Sequence, residues 1–420
     1  MISKKILTYK INISTWDDAA RRRIVFWTVV AAGLAFRTGE YVRDRGLWLD
    51  ESSIRENITA RPLGARFTNN QAAPIGFMMI EKMLLYTLGS SSRALRLNPY
   101  LAACLTVWAF AAIARKDLDS AAGLIASALV ATSDNLIYYA DELKPYSGDV
   151  LAAVASIWIG LETIQPNVSY KRLAIAFAAG GIALWSSFPA VFCVAAAGLA
   201  AIRAALRLRD PARLKIAIVM NLGWILVFIP FYFVSRRMLQ RGTVLWDFWN
   251  FAFPPSGGSF AAVVRWVSAA FVDAFINPIG RSIPAIDARI AVIPALALFA
   301  LGAAASFADS AEKALIRLGP IAFALGASML RLYPFHGRLL LFLVPCFYLT
   351  IARGWNVLAS AFRGSPCGKI AAFFLLAFPA FEAVRYGIEP RTRAGFNATG
   401  DYRDEPILKL DMIKQSDKRL

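Results

Sequence analysis

The sequence predicts an all-α polytopic membrane protein, and three observations carry that reading. Apolar runs close to bilayer-crossing length recur along the whole 420-residue chain, whose composition is 58% hydrophobic. The basic residues behind a formal net charge of +18 fall mostly in short loops between those runs, as the positive-inside bias requires. No soluble domain or convincing internal repeat interrupts the pattern. In a water-soluble chain such a charge would suggest nucleic acid; here it speaks for membrane orientation and anionic headgroups, and no nucleic-acid partner is expected.

The elements follow in order. Residues 1–23 carry Lys4, Lys5, Lys10 and Arg21 to Arg23 and lack the apolar core of a removable signal peptide, so this segment is read as cytoplasmic. A first span at about 24–40 then serves as an uncleaved anchor and puts Asp50 outside. The first outer, periplasmic loop, 41–96, holds an apolar stretch, Gln71 to Leu88, that mimics a span. Glu81 and Lys82 would sit near its middle, where an ionisable side chain costs roughly 2.5–3.5 kcal/mol. A helix lying in the interface avoids that cost. Further spans are expected near 97–114, 120–139, 146–164, 173–188, 189–206, 214–235, 287–307, 314–332, 338–352 and 369–386. That makes about eleven, in a transmembrane domain of 24–386 with a long outer loop at 236–286. The tail, 387–420, is polar. With this count the inner loops hold Arg115, Lys116, Lys171, Arg172, Lys313 and Arg353, while the short outer loops keep Lys144, Arg331 and Arg338.

Charges held where spans meet water mark the candidate chemistry. Asp50 and Glu51 follow Trp48 just past the first span, near Arg43, Arg45 and Arg55. Acids held where a helix meets water usually bind, relay protons or catalyse. A second cluster, Tyr138 to Tyr146, packs Asp141, Glu142 and Lys144 into one tight turn, with Pro145 suited to the first turn of the next helix. A third, Tyr333 to Arg338, sets Arg338 at the outer start of a span. There it would either grip a phosphate through two parallel hydrogen bonds or snorkel to headgroups. His336 is the single histidine, so a His-rich metal site is excluded. Cys104, Cys193, Cys346 and Cys367 form no CxxC pair. Trp246, Phe248 and Trp249, beside Arg236, Arg237 and Arg241, suit an interfacial anchor better than a sugar-stacking surface. Gly180 and Gly181 suit close helix packing.

Trp48-x-Asp50-Glu51, the Asn69-Asn70-Gln71-Ala72-Ala73-Pro74 stretch, Tyr138 to Tyr146 and Tyr333 to Arg338 together resemble the GT-C membrane glycosyltransferases. The likeness leans to the bacterial branch related to protein O-mannosyltransferases and the lipid A aminoarabinose transferase. It implies a multi-pass enzyme of the bacterial inner membrane that takes a sugar from a polyprenyl phosphate on the periplasmic face. Asp50 would be the catalytic base with Glu51 beside it, and Lys144 and Arg338 would hold the donor phosphate. Gln71, Asp141, Glu142, Tyr146 and His336 would contact substrate. Many relatives carry arginine where this chain has Lys144.

On this reading Asp50 takes the proton of an acceptor hydroxyl as it attacks the anomeric carbon with inversion, while Arg43, Arg45 or Arg55 favours its ionised form. No cofactor is expected; Asp141 and Glu142 leave room for a divalent cation. The partners expected are the lipid-linked donor, a lipid, glycan or protein acceptor, and membrane lipid. The competing class is a transporter or lipid flippase, which would place its charges at mid-membrane on broken helices of repeated halves.

Overall fold

Residues 18–66, 72–238, 247–280, 288–362 and 365–388 are described by the structure, a computed structural model. They form α-helices joined by short 3-10 turns, with no strand among the described residues. In chain order the first ten helices are α1 (Asp18–Val42), α2 (Leu49–Ala60), α3 (Ile75–Leu88), α4 (Ser92–Asp117) and α5 (Ser120–Thr132), then α6 (Asp134–Tyr138), α7 (Tyr146–Thr163), α8 (Tyr170–Ser186), α9 (Ala190–Leu208) and α10 (Pro211–Met238). Helices at Phe260–Ile276, Ile293–Asp309, Ala311–Met329, Val344–Ala361 and Cys367–Ile388 complete the bundle.

Six described helices are long and apolar enough to cross a bilayer, seven if the bent α5–α6 pair is one span. The sequence led us to expect about eleven. The remaining predicted crossings are helices too, but fall short on that test. At 17 residues α8 is brief, α7 carries Asp149 and Glu162, and Ala311–Met329 carries Glu312, Lys313 and Arg317. The outer loop expected at 236–286 contains a helix of its own, Phe260–Ile276, started by Ser259, whose hydroxyl accepts from the Ala262 N–H.

At 14 residues, or about 21 Å, α3 is too short for the roughly 30 Å hydrocarbon core. Its two charges are accommodated by neighbours. Glu81 is buried and accepts from Asn98 Nδ2 at 2.9 Å, and Lys82 Nζ donates to the Arg61 carbonyl at 2.6 Å. Burial pushes the Glu81 carboxyl up to about 8. Met79, Met83, Tyr86 and Leu88 stay exposed on the same helix.

The expected straight span at 120–139 is instead broken, with a 51° bend after Thr132. Breaking a helix strands carbonyls that need donors in an apolar interior. Arg37, fully buried in α1, supplies them: Nη2 donates to Val130 O at 2.9 Å and Nη1 to Ala131 O at 3.1 Å. The break turns the chain into the Tyr139–Asp141 3-10 turn and so delivers the second charged cluster to the starts of α2 and α4.

Close approach elsewhere depends on glycine. A Cβ on Gly180 would lie 2.5 Å from Trp224 Nε1. Gly302 and Gly354 let the Ile293–Asp309 and Val344–Ala361 helices meet backbone to backbone, Gly302 against the Thr350 carbonyl and Gly354 against that of Leu298. Gly302→Ala is expected to force these helices apart and destabilise the bundle by about 1–3 kcal/mol, read as a lower Tm in detergent.

Candidate active site

The chain enters the site after α1. Trp48 precedes α2, and Glu51 reaches back to accept from the Trp48 N–H at 3.2 Å, which fixes the first turn. Both Glu51 oxygens are then occupied. Arg96 donates to them through Nε at 2.8 Å and Nη2 at 2.6 Å, and the Leu143 N–H adds a bond of 2.6 Å. Arg96 and Glu51 are 2% and 1% exposed, so this two-pronged ion pair lies out of water. The same guanidinium donates to the carbonyls of Arg45 and Gly46.

Asp141 and Glu142 face into this base. Asp141 takes Arg45 Nε at 3.0 Å and lies 3.6 Å from Arg96 Nη1, while its Oδ1 is buried without a hydrogen bond among the described residues. Glu142 accepts from the Trp48 indole at 2.9 Å. The Arg45 guanidinium lies 4.5 Å from the Tyr138 ring centre. Residues 45–51, the start of α4 and the turn before α7 are thereby one hydrogen-bonded unit. Glu51, expected to be catalytic beside Asp50, and Asp141 and Glu142, expected to contact substrate, are all buried and hold the protein groups just named.

Asp50, one residue earlier on α2, turns the other way and is 22% exposed. Its Oδ2 lies 3.8 Å from Lys144 Nζ and 3.6 Å from Arg338 Nη2. Two cations far apart in sequence therefore converge on the early aspartate. Of the arginines expected beside it, Arg43 pairs with Glu40, Arg45 pairs with Asp141 and Arg55 is exposed, so Lys144 and Arg338 take that place. Lys144 is nearly enclosed, and burial pulls its ammonium below the ordinary lysine value, with the Asp50 carboxylate opposing. Arg338 keeps 23% of its side chain exposed. Its guanidinium carbon lies 5.9 Å from the Tyr146 ring centre and 6.0 Å from that of Trp249. Gly337, at φ +52°, supplies the left-handed residue that aims it.

Tyr146 opens α7 and is buried beneath Arg338. His336 is half-buried, edge-on to Phe251 with ring centres 5.0 Å apart. Burial lowers its pKa, with the Asp273 charge opposing. Gln71, Trp246 and residues 389–420 lie outside the described residues. Among the described residues no three His, Cys, Asp or Glu side chains are grouped to hold a metal ion. Sequence reasoning missed Arg96. The available signal was an arginine on the outer side of a span, the same anomaly that exposed Arg338, but it fell at the edge of a segment read as loop.

This bundle, with its acid and cations gathered at one end, has the fold of the GT-C glycosyltransferases. A family profile described as dolichyl-phosphate-mannose-protein mannosyltransferase matches residues 72–233. Among solved structures, ArnT from Cupriavidus metallidurans in the apo state is similar at 16% identity and a TM-score of 0.57, over 88% of this chain and 65% of that one. ArnT bound to undecaprenyl phosphate gives 14% and 0.53, over 88% and 64%. The archaeal oligosaccharyltransferase AglB from Archaeoglobus fulgidus, in complex with an inhibitory peptide and a dolichol-phosphate, gives 12% and 0.56, over 89% and 56%. The chain thus spans less than two thirds of the length of these structures. No curated protein sequence matches it significantly.

Proposed function

We propose that this protein moves a sugar from a polyprenyl-phosphate donor to an acceptor hydroxyl, at the membrane face away from the cytosol. The observation that carries the reading is the Asp50 carboxylate set between Lys144 and Arg338. In the reaction Asp50 accepts the proton of the acceptor hydroxyl. The hydroxyl oxygen bonds to the anomeric carbon from the face opposite the leaving group. The bond from that carbon to the phosphate oxygen breaks, and the electron pair leaves with the phosphate. Arg338 and Lys144 meet the charge that develops on it; fixed donors of this kind act where charge appears. The buried lattice of Arg96, Glu51, Arg45 and Asp141 keeps the α2 start in place, and Tyr146 supports Arg338 from below. The profile match and the structures bearing undecaprenyl phosphate and dolichol-phosphate support a lipid-phosphate donor.

The direct test supplies the detergent-purified protein with a polyprenyl-phosphate-linked sugar and measures release of free polyprenyl phosphate on addition of acceptor. Release that depends on Asp50 supports the reading; movement of intact lipid across a vesicle bilayer without release would replace it with the transporter reading.

A pH effect follows from Lys144. Its pKa is lowered, so it loses its proton, and its hold on phosphate, at a pH below the ordinary lysine value of about 10.4. Polyprenyl phosphate binding is expected to weaken as pH rises through that lowered value. Lys144→Arg, which keeps its charge, should move the alkaline limb upward in a pH titration of binding.

A further inference from the structure

An aromatic stretch, Phe248 to Phe251, lies beside Arg338. Residues 249–256 are fastened onto the segment that leads to Arg338. The Phe335 N–H donates to Ala252 O at 3.1 Å, and Ser328 Oγ donates to the same carbonyl at 3.2 Å. Arg331 donates to Ser256 Oγ at 2.9 Å and to Asn250 Oδ1. The position of Trp249 relative to Arg338 is therefore set by backbone and side-chain bonds to the residues that follow it.

Trp249 is half-buried, between Arg338 at 6.0 Å and the His336 ring at 6.5 Å. The anchoring role that sequence suggested fits its neighbours better: Phe248 and Phe251 are 61% and 59% exposed. A phosphate on the outer side of Arg338 puts whatever is esterified to it next to this indole. Aromatic faces take the C–H side of a flat, uncharged ring and offer little to a bare phosphate.

Resting on the sugar-transfer reading, we infer that Trp249 is a specificity-determining contact, a stacking platform for an uncharged pyranose carried on the donor phosphate. Arg338 and Lys144 read the phosphate, and Trp249 reads the ring. Affinity for the lipid and affinity for its sugar are thus separable in this protein.

The test compares binding of undecaprenyl phosphate with binding of undecaprenyl phosphate bearing glucose, galactose or mannose. The wild type should bind at least one sugar-bearing probe more tightly than the bare lipid, by about fivefold to tenfold. Trp249→Ala should erase that ratio and leave affinity for the bare lipid unchanged, and Trp249→Phe should restore most of it. A purely structural role for the loop would weaken both ligands together and leave the ratio alone. The inference falls if no sugar-bearing probe binds more tightly than the bare lipid, or if the Trp249→Ala ratio equals that of the wild type. If the wild type does not bind bare undecaprenyl phosphate, the sugar-transfer reading falls and takes this inference with it.

Discussion

Asp50→Asn is expected to abolish sugar transfer while leaving a folded, membrane-inserted protein. Removing a positioned general base costs about 10²–10⁴ in rate. The substitution keeps the shape of a side chain that is partly exposed at the start of α2, so the bundle has little to lose. A second readout separates this from simple damage. The neutral amide no longer competes for Lys144 and Arg338, so bare undecaprenyl phosphate should bind the variant at least as tightly as the wild type. Transfer at the wild-type rate in Asp50→Asn would end the assignment of Asp50 as base.

Arg96→Met is expected to give the largest loss of stability of any single change at the site. It leaves Glu51 buried without its bidentate partner, and breaking such a pair from one side costs about 3–5 kcal/mol. It also frees the Arg45 and Gly46 carbonyls, which hold the loop before α2. Replacing both charges, Glu51→Leu with Arg96→Met, should recover most of the Tm, because an apolar pair of similar volume is often as stable as a buried ionic one. Activity should stay low in the double variant, since the loop that presents Asp50 is no longer fixed. A single variant that melts together with the wild type would show that something other than this pair secures the loop.

What could be read beforehand was local or depended on sidedness. The start of α7 was plain from Pro145 followed by an apolar run, and α7 begins at Tyr146. Counting crossings put Asp50, Lys144 and Arg338 on one face, but that the two cations rather than Arg43, Arg45 or Arg55 pair with Asp50 was not read. The bend after Thr132 was missed although Thr132-Ser133-Asp134-Asn135 interrupts the apolar run there; what the sequence hides is that the donor making the break tolerable comes from α1. The beginning of α4 was hidden too. Ser91 caps it, yet Arg93, Arg96 and Asn98 make its first turns look like loop. The Glu51–Arg96 pair joins residues 45 apart in the chain, and nothing local in either segment names the other. The place of Trp249 beside Arg338 joins residues nearly ninety positions apart.

Arg43 joins the two ends of the bundle. Its guanidinium donates to the carbonyls of Tyr386 and Gly387 at 2.6 Å each, so the loop presenting Asp50 is clasped to the close of the Cys367–Ile388 helix. This tie lies only seven positions from the aspartate. Shortened versions that stop before Tyr386 would thus spoil the reacting centre without deleting any residue in it.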